Sequence, residues 1–183
     1  MNYPSLLTPN DTEFLRVDEQ QIILPKCQIN FNKWKGVTIA HTFGGKPLID
    51  VEGIPMFAEM AILKLFEKSG WETRWIETYA RPKSSPIYLN EWKDDEFKNQ
   101  IHVPIENEKI NELLSTIANN NENLFHGAWD VLGWSGENIL FTESKRLKKD
   151  QIRNSQIDWL RAGLKVGLKP ENFMIVQWDF VLS

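Results

Sequence analysis

The sequence predicts a mixed α/β domain whose core runs α-β-β-β-α-β from Pro55 onward, with a β-rich extension before it and an inserted helix within it. Three observations predict it. An apolar stripe at helical spacing lies between Pro55 and Gly70, two strand-like runs flank Ser135-Gly136-Glu137, and a second helical stripe precedes a closing β-rich run. With 183 residues, 42% hydrophobic and 25% charged, the chain is long enough for one domain with a sizeable core.

Residues 1–52 read as the extension, with short strands at Gln21–Leu24, Gln28–Phe31 and Val37–Ala40 broken by Pro25, Lys35-Gly36 and Gly44-Gly45. The core takes 53–79 and 128–183. Pro55 suits a first helical turn and Gly70 the position past the last, with Ala58, Ile62, Leu65 and Phe66 as the stripe. Trp71–Tyr79 reads as a strand. The stretch 80–127 is an insertion: it opens irregularly with Pro82, Pro86 and Pro104, holds a helix at Glu106–Ala118 and stops at Asn119-Asn120-Asn121. Trp129–Trp134 and Asn138–Lys145 form a hairpin, Ile152–Leu164 a helix on Ile152, Leu160 and Leu164, and Phe173–Trp178 the last strand.

Composition removes several classes. One cysteine, Cys27, excludes an internal disulfide framework, and three scattered histidines leave no structural zinc cluster. Met1–Pro9 lacks the basic and long apolar regions of a signal peptide, and no stretch approaches ~18 apolar residues. The expectation is a cytoplasmic protein with no membrane partner. Net charge is −4, but Lys145–Lys169 carries eight basic residues against two acids, so the rest of the chain is strongly acidic. Such a segment is either a phosphate-facing surface or a solvated helix face.

The chemistry concentrates at the hairpin. If Gly136-Glu137 is its turn, facing residues sum to 273: Asp130 opposes Glu143, Leu132 opposes Phe141, and Trp134 opposes Ile139. Lys145 shares that face, two residues from Glu143. Two carboxylates and an ammonium therefore converge at the rim of a core, where charge is costly unless paired or metal-bound. A structural salt bridge and a metal site both satisfy that demand. Glu59 lies on the edge of the first helix's buried stripe, and Gln156 lies within the last helix's stripe.

Asp130, then Glu143-Ser144-Lys145 on the next strand in an α-β-β-β-α-β order, resembles the PD-(D/E)XK nuclease superfamily, which has a restriction-endonuclease-like core with a mixed sheet. Ser155-Gln156, Trp159-Leu160 and Gly163 after that run look most like its VRR-NUC branch, the virus-type replication-repair nucleases. Trp129 stands where the superfamily often has proline, and the 80–127 insertion is long for the branch. The resemblance implies a metal-dependent deoxyribonuclease of DNA repair or a mobile element. Asp130 and Glu143, with the Ser144 carbonyl, would hold Mg²⁺ or Mn²⁺, and Glu59 would complete the shell or bind a second ion. Lys145 would orient the attacking water, and Gln156 would steady the site. Arg146, Lys148, Lys149 and Arg153 would contact DNA phosphates.

Two rivals use the same residues differently: a catalytically silent nucleic-acid binder, and a protein-interaction module exposing Trp34 and Trp92. A homodimer or a protein partner fits either. His41, His102 and His126 read as loop or surface residues, and Gly44-Gly45-Lys46 lacks the strand-to-helix context of a phosphate loop, so neither group receives a role.

Overall fold

Alternate residues along two strands face two different cores, and that alternation sets the layers. The computed structural model describes residues 1–79 and 85–181; Pro82 of the insertion lies outside them. Val131 on β7 (Val131–Ser135) and Leu140 on β8 (Asn138–Arg146) pack with Met60, Ile62, Leu63 and Phe66 of α1 (Ala58–Lys68). Their neighbours Leu132, Trp134 and Phe141 pack on the opposite face. There they meet Ile110, Leu114 and Ile117 of α2 (Glu108–Asn119), with Trp159 and Leu160 of α3 (Asn154–Lys165). Each fully buried side chain of this size contributes about 1.5–3 kcal/mol, so both faces hold the sheet.

The remaining strands are β1 (Asp11–Val17), β2 (Gln20–Lys33), β3 (Ile49–Val51), β4 (Ile54–Met56), β5 (Glu72–Glu77), β6 (Ile87–Leu89) and β9 (Phe173–Phe180). They form a nine-stranded sheet in the order β4-β3-β2-β9-β8-β7-β5-β6, with β1 on β2. The sheet is mixed and mostly antiparallel; β2–β9 and β8–β9 are its parallel pairs. The order α1-β5-β7-β8-α3-β9 reproduces the expected succession, with β6 and α2 inserted. No helix among the described residues is long and apolar enough to cross a membrane.

Four expectations need correction. Pro55 is not in a helix: it faces Asp50 in the β3–β4 hairpin, on an edge strand where a missing N–H breaks no further ladder, and α1 begins at Ala58. The two strands expected around Pro25 are one. Pro25 faces Thr12 of β1 while the β9 ladder starts one residue later, at Lys26, so the proline interrupts nothing there. Val37–Ala40 is not a strand, and the Ala40 and His41 N–H groups donate to the Asp94 carboxylate instead of a neighbouring strand. Trp34 and Trp92 are half-buried against the α1-side core; their indole N–H groups donate to the Val37 and His41 carbonyls.

Candidate active site

The hairpin register is the expected one: Leu132 faces Phe141 and Trp134 faces Ile139. Asp130 precedes β7 by one residue, and its carbonyl accepts a 2.8 Å bond from the Ile76 N–H, so β5 keeps the strand in line through it. Its carboxylate Oδ2 accepts from the Ser144 N–H at 2.9 Å. Ser144 thus reaches the site through its N–H, while its hydroxyl accepts from the Trp178 indole.

On β8, alternate residues Glu143 and Lys145 point the same way, and Lys145 Nζ stands 3.0 Å from Glu143 Oε1. Both are buried, Glu143 at 1% and Lys145 at 8% exposure. The Gln156 amide bridges them: Nε2 donates to Glu143 Oε1 at 2.6 Å, and Oε1 accepts from Lys145 Nζ at 3.1 Å. The same Gln156 Oε1 accepts from the Arg153 N–H, which satisfies a donor at the start of α3. Gln156 is therefore held by the helix end it helps to close.

Two contacts seat α3 here. Trp129, buried, donates its indole N–H to the Gln156 carbonyl at 3.1 Å. Gly127, with φ of +83°, lets the chain before β7 touch the helix: a Cβ there would lie 2.0 Å from the Ser155 carbonyl oxygen. Trp129 thus fastens the glutamine-bearing turn beside Asp130.

Burial, and then the Glu143 and Glu59 charges, push the Asp130 carboxyl well above the usual carboxylate range. Burial also raises Glu143, partly offset by Lys145. Glu143 Oε2 is buried with no hydrogen bond of regular geometry, although the neighbouring Asp130 side chain and N–H also help hold the Glu143 carboxyl down. A buried acceptor in that state is costly unless something else fills its coordination.

Glu59 stands apart. It is buried at 8% exposure and sits 2.6 Å from Lys46 Nζ, while Glu143 pairs with Lys145. Nothing in the sequence pattern assigns Lys46 this place. Phe43, Gly44 and Gly45 all have positive φ, and this left-handed turn swings Lys46 back over the Phe43 and Trp75 rings, 5.0 and 5.2 Å from their centroids. Burial works against its charge, but Glu59, Asp130 and Glu77 outweigh it and keep the ammonium protonated. Glu77 is the other residue missed; its carboxylate accepts from the Thr78 and Tyr79 N–H groups, and burial raises its pKa. The Gly44-Gly45 pair marks a turn in the sequence but does not show where that turn delivers Lys46.

Among the expected DNA contacts, Lys148, Lys149 and Arg153 are exposed in and beside the loop joining β8 to α3. Arg146 is half-buried, paired with Asp179 and lying over the Phe180 and Trp178 rings. Farther along α3, Arg161 binds Asp158 and Asp18. The basic segment therefore divides into a group next to the site and a group committed elsewhere.

Among the described residues, no three His, Cys, Asp or Glu side chains form a ready metal cage. The donors do suit a hard cation, since Mg²⁺ is commonly held by one or two carboxylates with waters filling the rest. Asp130 and Glu143 Oε2 supply that minimum. Compared with family models, with curated proteins and with solved structures, the chain matches none.

Proposed function

We propose that the chain is a metal-dependent nuclease that hydrolyses DNA phosphodiester bonds with activated water, on a PD-(D/E)XK-type site. The observation that carries this reading is the approach of Asp130, just before β7, to Glu143 within β8, with Glu143 Oε2 buried outside any regular hydrogen bond and Lys145 on the other oxygen. Asp130 and Glu143 would hold one Mg²⁺ or Mn²⁺, which when bound supplies Lewis-acid polarisation of the phosphate and a more acidic water.

The chain's own groups do the positioning. Lys145 has three N–H donors. Glu143 and Gln156 take two of them, so one is left for a water or a phosphate oxygen. Gln156, fixed from both sides, keeps the ammonium from swinging onto either acid alone. The loop bearing Lys148, Lys149 and Arg153 lies beside the site, where it would take the strand's phosphates.

A second reading has its own observation. Glu59 and Glu143 each already face a lysine, which a catalytically silent module on the same fold would need for stability alone. The deciding experiment offers plasmid, linear, single-stranded and branched DNA with Mg²⁺ or Mn²⁺ to the wild type, Glu143→Gln and Lys145→Ala. Cleavage by the wild type that both variants lose supports the nuclease. Equal cleavage by all three assigns the activity to a contaminant, and no cleavage with no Mn²⁺ uptake favours the silent module.

A further inference from the structure

We propose that Lys46 is the resident second cation of the acid cluster: its ammonium occupies the place beside Glu59 that a second divalent ion would need, so the chain takes one divalent ion, at Asp130 and Glu143. This rests on the metal-site reading above and adds a stoichiometry to it.

The geometry is that of a cation in a built seat. Lys46 Nζ lies 2.6 Å from the buried Glu59 Oε1, and the Phe43 and Trp75 rings cover it at 5.0 and 5.2 Å. Ring faces attract a cation, and the Lys46 side chain, 32% exposed, lies against them at the edge of the core. Glu77 ends β5, the strand that carries Trp75, and the Ile76 N–H is bonded to the Asp130 carbonyl. The two acids that bear on Lys46 besides Glu59 are thus held there by the sheet itself. Acids brought toward one point from a helix and two strand ends favour a cation between them, and a tethered ammonium satisfies them without a divalent ion.

The segment that delivers Lys46 is built to hold it in one position. The Lys46 N–H donates to the Thr42 carbonyl at 3.0 Å, closing the turn through three left-handed residues. Its ammonium then lies over both rings and ends at the Glu59 carboxylate.

The test is Mn²⁺ stoichiometry and spin coupling, by calorimetry and electron paramagnetic resonance, on the full chain. Four proteins are compared: wild type, Lys46→Arg, Lys46→Met, which keeps an apolar stem on the rings, and Lys46→Met with Glu59→Gln. One uncoupled Mn²⁺ is expected for the wild type, for Lys46→Arg and for the double variant; a second, spin-coupled ion is expected for Lys46→Met. A coupled pair in the wild type, or a single ion in folded Lys46→Met, overturns the proposal while leaving the Asp130–Glu143 site standing. No Mn²⁺ bound by the wild type overturns both. If Lys46→Met does not fold, Lys46→Gln replaces it in the same comparison: a second, spin-coupled ion in Lys46→Gln upholds the seat, and a single uncoupled ion there refutes it.

Discussion

Gln156 and Arg153 close the first turn of α3 on each other: the Arg153 N–H donates to Gln156 Oε1 and the Gln156 N–H donates to the Arg153 carbonyl. The side chain that completes the helix end is the one that spans Glu143 and Lys145. Gln156→Ala should therefore lower stability by roughly 1–2 kcal/mol in urea denaturation, and it should also lower the cleavage rate. Gln156→Glu should restore the helix contact but not the rate, because a third carboxylate then faces Glu143.

Removing Lys145 leaves a buried carboxylate without its cation. Lys145→Ala should cost about 3 kcal/mol at neutral pH in EDTA, and saturating Mn²⁺ should recover much of it, as followed by thermal melts. An undiminished melting temperature in EDTA would mean that Glu143 is solvated.

Glu143→Gln should reduce DNA cleavage on the order of 1,000-fold, and in EDTA it should also lower stability, because Lys145 then keeps a buried charge without its counter-ion. Equal cleavage rates for the variant and the wild type would remove Glu143 from the chemistry.

The pH dependence has a definite sign. Burial, then the neighbouring acids, raises Asp130, and burial raises Glu143, so the folded chain keeps protons that the unfolded chain has already released. In EDTA, stability from this pair should fall as pH rises from the ordinary carboxylate range through the raised folded values. Asp130→Asn should flatten that slope, and Mn²⁺ should flatten it in the wild type. A rising slope over the same window in EDTA would contradict the burial.

For DNA binding, Lys148→Glu with Lys149→Glu should weaken affinity on every sequence and reduce the salt slope by about 0.9 for each phosphate no longer neutralised. Arg146→Ala should instead lower the melting temperature, because it strips the partner of Asp179 and the cover of Phe180. Filter binding across a salt series separates the two effects.

The site was legible where its parts are close in sequence. A hairpin register is local arithmetic, and one turn is enough to place Asp130, Glu143 and Lys145 on one face. Gln156 was legible as a polar residue interrupting an apolar stripe. Lys46 was not, because its approach depends on a loop's left-handed turn and on distant rings, neither of which has a periodicity. The same holds for β2: Pro25 reads as a break, and only the partner strands show that the chain runs straight through it.

The seating of β2 against β9 has a consequence for how the molecule assembles. Lys26–Phe31 zips alongside Ile175–Phe180, and β9 in turn flanks the strand that carries Glu143 and Lys145. Segments far apart in the sequence must therefore meet before that strand's flank is complete, a long-range closure that makes for slow folding. A chain cut before Phe173 would keep every acid proposed to hold the ion and still have an unzipped edge beside them.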